Sequence, residues 1–339
     1  PKLAVAVALP SIAIAMQPLS HPSAATPSAL AGLRGALLTC SMLSTTLPVE
    51  SYDHDGWQLT FRRRAASPGH EASPPVLLVH PVGIGLSSWF WDNLIDAWEG
   101  PEIFAPDLIG CGAAGDPWRP SERGLFLPLD WARGCEALWR QQIRRPCVVV
   151  AQGGLAPVGV TLSARECDEW CGSRAVCGLV LASPPTWSEM VTAKPVAEAT
   201  KSYEQLASPL GQLAFGLLEQ RAFVRFFSNL FLFGEGTEAD ERWLDACCAG
   251  ATADARPPIF AFNAGLLQTR SYEVELRDLP QPTLVLSGES DKRVADRQRY
   301  RSEMRAAALR SLPGGNVLPW EAPRETAAAI SAFCAEVGR

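Results

Sequence analysis

The sequence predicts an α/β protein: a mostly parallel central sheet with helices on both faces and a helical cap insertion. Three observations carry this. Short continuous apolar runs, such as VLLV at 76–79 and CVVV at 147–150, read as strands buried on both faces. Segments of helical spacing separate them, as crossovers between parallel strands require. One stretch, from about Trp187 to Arg277, breaks the alternation and holds no buried strand.

Taken in order, DGWQLTFRRR alternates polar and apolar residues and reads as an opening strand. PPVLLVH, Pro74 to His80, is a buried strand, and EIFAPDLIGCG holds a shorter one followed by a Gly-punctuated loop. LDWARGCEALWRQQ places Trp131, Cys135, Leu138 and Trp139 on one side of a helix. CVVVAQ, CGLVLAS and PTLVLSGES are three further strands, and ETAAAISAFCAEV is a closing helix. Within the insertion, AFGLLEQRAFVRFFSNLFLF is one apolar helical patch, and TEADERWLDACC is a helix with Thr237 as its cap. The Phe-rich run Phe223, Phe226, Phe227, Phe231, Phe233 fits helix core, with the wall of a capped pocket as the other reading. The organisation is an arm at 1–49, core at 50–186, cap at 187–277 and core at 278–339.

With 339 residues and 47% hydrophobic content, the chain has ample core. A net charge of −6 argues against nucleic acid as a partner, because phosphate binding needs a basic face. The run Arg62-Arg63-Arg64 reads as a solvated strand end. Cys167, Cys171 and Cys177 lie close together and Cys247 adjoins Cys248, but none has the paired C-x-x-C spacing of a zinc site. No metal or cofactor is expected, and the thiols fit a reducing compartment.

No Asp or Glu precedes Glu50, and only Lys2 and Arg34 carry charge before it. LAVAVALPSIAIAM is too short to span a bilayer, and Pro10 interrupts it. This acid-poor, Ser-rich composition predicts a transit-peptide remnant and a plastid location, and Pro1 fits a processed product. A signal-peptide apolar region and an arm packed on a partner are the other readings.

Five stretches in order resemble the α/β-hydrolase fold family. HPVGIG, His80 to Gly85, resembles its loop after the third strand, and PDLIGCG its D-x-x-G-x-G loop. VVVAQGGLAP resembles the strand and nucleophile elbow, and LVLSGESD the strand and loop that deliver the acid. LPGGNVLPWEAPRETAAAISAF resembles the last strand end, the His loop and the final helix. NVLPWE and RFFSNLF are similar to α/β-hydrolase-fold proteins of cyanobacteria and plastids.

A serine hydrolase of this fold needs a nucleophile, an acid and a His in that chain order. Here the nucleophile slot is Gly153, and neither Cys nor Asp stands in for Ser. The His slot is Asn316, or Val317 with a shift of one, and the four His of the chain all lie at or before His80. The acid slot is Asp291, with Glu289 beside it, and a helix cap is the reading preferred for Asp291. The resemblance implies oxyanion-type backbone donors at Val82 and Gly154, although Pro81 departs from the usual His-Gly pair. Gln152 is a candidate ligand contact, and His80 a candidate base whose family counterpart is structural. Ser87 and Ser88 read as helix caps and Cys111 as a turn residue.

These residues predict a non-hydrolytic protein. It would hold an apolar small ligand in the capped pocket, or dock on a membrane or organellar complex through the arm and cap. The alternative is a hydrolase or lyase of small apolar ester-like substrates using His80 and the oxyanion backbone.

Overall fold

The computed structural model describes residues 47–112, 114–124, 128–165 and 175–338; residues 1–46 of the predicted leader, with His21, and Cys167 and Cys171 lie outside them, while Val49, the leader's last residue, is the first of a strand. Among the described residues one eight-stranded sheet runs in the order β1-β2-β4-β3-β5-β6-β7-β8. The strands are β1 (Val49–His54), β2 (Trp57–Arg64), β3 (Val76–Val79), β4 (Ile103–Pro106), β5 (Cys147–Gln152), β6 (Val176–Ala182), β7 (Thr283–Gly288) and β8 (Ala307–Leu312). β1 and β2 are antiparallel, β2 meets β4 antiparallel, and the rest of the sheet is parallel.

β1 is absent from the sequence prediction. It forms a hairpin with β2 through Asp55 and Gly56, both at positive φ (51° and 77°). A two-residue turn of this kind matches the twist of the flanking strands, and Asp-Gly is its usual sequence.

The period-two alternation of the parallel strands sorts their side chains into two cores. Leu77, Val79, Val149, Ala151, Leu179 and Leu181 face one layer, with Trp131, Leu138 and Trp139. Val76, Leu78, Val148, Val150, Val180 and Leu286 face the other, with Phe90, Trp91, Ile330 and Phe333. Helices α1 (Asp92–Asp96), α2 (Pro120–Arg123), α3 (Pro128–Leu138) and α4 (Ala156–Ala164) follow the early strands. α4 sits close to the sheet because Gly159 carries no side chain; a Cβ there would fall 2.8 Å from that of Ala151.

The segment between β6 and β7 is helical, as expected. It holds α5 (Trp187–Val191), α6 (Val196–Ala207), α7 (Pro209–Leu218), α8 (Arg221–Phe227), α9 (Glu241–Gly250), α10 (Arg256–Ala264) and α11 (Glu273–Asp278). The predicted single apolar helix is broken at Glu219–Gln220 into α7 and α8, where Gln220 takes an extended ψ of 136°. The cap of α9 is Asp240, whose carboxylate accepts the Trp243 N–H at 2.7 Å, and not Thr237. Thr237 instead donates to the Gly234 carbonyl and to Glu321. The Phe run is helix core only in part: Phe233 is buried, whereas Phe226 is 60% exposed and Phe227 36%. α12 (Val294–Glu303), α13 (Leu318–Glu321) and α14 (Pro323–Val337) complete the chain. No described helix is long and apolar enough to cross a membrane.

Candidate functional site

The site begins at the end of β5. Gly153 holds φ +58° and turns the strand sharply into a short 3₁₀ turn and α4. That left-handed backbone is costly for a side-chain-bearing residue, and glycine takes it freely. A Cβ at Gly153 would meet nothing within 4 Å. The corner is thus a sharp left-handed turn with room for a side chain. Gly154 is different: a Cβ there would lie 2.3 Å from the ring of Phe262, which α10 lays against it.

The acid slot is bonded shut. Asp291 Oδ2 accepts a hydrogen bond from Arg297 Nη1 at 2.7 Å, and Oδ1 accepts the Arg293 N–H at 2.9 Å. Arg297 is fully buried, and its other bonds run to the Pro184 carbonyl and Ser287 Oγ at 2.7 and 3.0 Å. Burial pulls the Arg297 pKa down, and the Asp291 charge opposes it. The carboxylate is thus the counter-ion of a buried cation and the cap of the turn into α12.

The His slot is part of a seam between core and cap. The Asn316 N–H donates to the Leu232 carbonyl at 2.8 Å, and its own carbonyl accepts Gln152 Nε2 at 2.7 Å. Glu321 extends the seam, with Oε1 accepting the Gly234 N–H at 2.6 Å and Oε2 the Gly315 N–H at 2.8 Å. Gln152, read as a ligand contact, thus ties the strand of the nucleophile slot to the base slot. Gln152 Oε1 and Asn316 Oδ1 are buried with no hydrogen-bond partner.

His80 is fully buried. The Leu108 N–H donates to Nε2 at 3.1 Å, so the proton sits on Nδ1, which donates to the Pro81 carbonyl at 2.8 Å. Burial lowers its pKa, and nearby Asp107 partly offsets this. Both ring nitrogens are spent on backbone, which leaves none to serve as a base in the alternative enzymatic reading.

A cavity of about 380 Å³ lies beside this loop. Val82, Gly83, Ser87 and Trp89 form one wall, Asp107, Cys111 and Gly112 a second, and Ala246, Ala249, Gly250 and Ile259 a third. Val82 lines it, whereas His80, Gln152, Gly153 and Gly154 do not. Asp107 accepts hydrogen bonds from Thr60 Oγ1 and the Ser88 N–H, both at 2.8 Å. Burial and Asp107 push the Cys111 thiol pKa up, which keeps it an inert turn residue. Ser87 precedes the following turn but makes no side-chain cap bond. α9 lies directly on the loop: a Cβ at Gly85 would fall 2.0 Å from the Cys247 carbonyl oxygen. Among the described residues no three His, Cys, Asp or Glu side chains gather to hold a metal ion.

A family model described as the alpha/beta hydrolase family matches residues 76–329. The chain belongs to the alpha/beta hydrolase family. Solved structures of similar fold include a serine hydrolase involved in carbazole degradation, CarC, 17% identical with a TM-score of 0.63 over 86% of this chain and 100% of that one. A thermophilic esterase from Thermogutta terrifontis is 17% identical, with a TM-score of 0.63 over 86% and 98%. A loop variant of the haloalkane dehalogenase DbeA from Bradyrhizobium elkanii is 20% identical, with a TM-score of 0.61 over 86% and 97%. At such identities the likeness is one of fold. No curated protein sequence matches this chain.

This alpha/beta hydrolase also holds residues that the sequence reading missed. Arg297 and Glu321 act on the slots from the helices that directly follow them, and Phe262 acts on the corner from the distant cap. Ser183, at the end of β6, holds φ +47° with its hydroxyl buried and unpartnered. Strain of this kind gathers at functional sites, and nothing in the local sequence announces it.

Proposed function

We propose that this alpha/beta hydrolase is a non-hydrolytic member of its family that binds a small apolar ligand in the cavity beside Val82. The observation that carries this is the bonding of the acid slot into structure, where Asp291 serves Arg297, beside a base slot that holds Asn316, tied to Leu232 and Gln152 through its backbone. A nucleophile needs an adjacent base to be activated, and the slots supply none. The cavity walls are mostly Gly, Ala, Val, Leu and Ile, with Arg62, Ser87, Asp107 and Thr252 as polar groups that orient a ligand. The acid-poor, Ser-rich leader supports a plastid as its location.

The test is labelling with a serine-reactive phosphonate probe, followed by native mass spectrometry of protein isolated from its source. The reading expects no label and a co-purifying apolar molecule that Ala249→Trp displaces. Label mapped to Ser183 or any other serine overturns it and restores the enzymatic alternative. A second reading, an interaction subunit of a membrane or organellar complex, is favoured by the apolar outer face of the cap. Affinity purification from the organelle separates the two.

A further inference from the structure

The cavity beside Val82 has walls of unlike chemistry. α9 and α10 supply Ala246, Ala249, Gly250 and Ile259, which carry no charge. β2 and the loop after β4 supply Arg62 and Asp107. Thr60 and Arg62 stand two apart on β2, so their side chains share one face of the sheet, roughly 7 Å apart along the strand. Thr60 Oγ1 donates to Asp107 at 2.8 Å, which brings the guanidinium and the carboxylate to one stretch of wall. Ser87 adjoins them, since the N–H of the next residue, Ser88, donates to Asp107 Oδ1 at 2.8 Å.

The bonds these groups still have to give describe the head of a ligand. Each Asp107 oxygen accepts one hydrogen bond, and a carboxylate offers about four acceptor sites. Arg62 gives Nη1 to Asp92 at 2.5 Å, and among the described residues its Nε and Nη2 make no hydrogen bond. The wall therefore offers a donor at Arg62 and an acceptor at Asp107. The Arg62 charge is met by Asp92, which Arg242 also approaches at 3.5 Å. Asp107 has no cation within salt-bridge distance among the described residues, so an anionic head meets an unbalanced carboxylate. A cationic head meets the Arg62 guanidinium. A pure hydrocarbon takes water from both groups and returns no hydrogen bond, which is costly in an enclosed site. A carboxamide presents its acceptor and its donor on separate atoms, as the two wall groups require.

We propose that the cavity selects an uncharged carboxamide head on an apolar body, the carbonyl accepting from Arg62 and the N–H donating to Asp107. This specificity rests on the reading of the cavity as a ligand site. A volume of about 380 Å³, at about 30 Å³ for each water-sized group, has room for roughly a dozen non-hydrogen atoms.

Isothermal titration of the full chain with octanamide, octanoate and methyl heptyl ketone, three probes of matched size, tests it. Octanamide is expected to bind at least about tenfold tighter than either of the others, because the ketone lacks the donor and octanoate brings the charge. Arg62→Met should weaken octanamide binding about tenfold, and Asp107→Asn should bring octanoate to within about threefold of octanamide. If one of these variants melts early, the other carries the reading. Ala249→Trp should abolish octanamide binding. Ketone or octanoate binding as tight as that of octanamide overturns the carboxamide selectivity and leaves the ligand site standing. No binding by any of the three overturns both. Octanamide binding that survives Ala249→Trp, or that Arg62→Met leaves unchanged, also overturns the proposal.

Discussion

Under the function proposed above, the nucleophile corner and the acid–base edge depart from the family pattern in opposite ways. At the corner a side chain is missing and nothing has moved in: Gly153 keeps φ +58° and open space around its missing Cβ. At the edge the Asp291 carboxylate is bonded by Arg297, and the Asn316 backbone is bonded to Gln152 and Leu232 while its Oδ1 has no partner. One substitution repairs the first change in geometric terms. At the second the Asp291 carboxylate has become part of the fold, so freeing it costs stability before it returns chemistry. A pattern of missing residues therefore carries less information than whether their space has been reused.

The largest effect should come from the rebuilt edge. Asp291→Ala leaves Arg297 buried without its counter-ion, and a loss of about 3–5 kcal/mol is expected in denaturant unfolding. A loss below about 1 kcal/mol would show that the pair is dispensable and the edge no more committed than the corner. Next comes the neighbour of the corner. Gly154→Ala drives a methyl into the Phe262 ring and should cost about 1–3 kcal/mol, measured the same way.

His80 sharpens the comparison through pH. Its folded pKa lies below the ordinary 6.5 because it is buried. As pH falls, the unfolded chain therefore takes up the proton first. Its contribution to stability is whole above about pH 6.5 and declines on acidification below that. His80→Gln should flatten the pH dependence of unfolding there, and an unchanged slope would point to other groups. The smallest effect belongs to the corner. Gly153→Ser should fold with a loss of about 1 kcal/mol, because serine tolerates the left-handed backbone at modest cost. It should give no ester hydrolysis above background, even combined with Asn316→His, since Asp291 remains held by Arg297. Turnover by the double variant would break the comparison, because it would show the edge to be as reversible as the corner.

Much of the sheet was legible because apolar runs and Gly turns are local signals. Residues 148–157 predicted both the strand and the turn, and the turn has the left-handed Gly that the elbow geometry demands. β1 was also within reach, since Asp55-Gly56 between alternating residues is a hairpin signal. The true cap of α9 was less accessible. Thr237 and Asp240 are both capping residues, and the choice turned on Glu321, which draws Thr237 into the seam. The outward turn of Phe226 was hidden because periodicity marks a stripe without saying whether another layer covers it.

The sequence by itself determined the fold class, most of the strand segments and the absence of any His after residue 80, since these follow from local pattern, order and a count of histidines. Tertiary structure alone decided what became of the vacated slots. Phe262 reaches Gly154 from the cap, Asn316 meets Gln152 and Leu232 across the seam, and the cavity lies beside the loops after β3 and β4 rather than over Gly153. The physical reason is that a hydrogen bond or a packed ring depends on distance in space. Neighbours in the chain do not specify that distance; the packing of the cap on the core does.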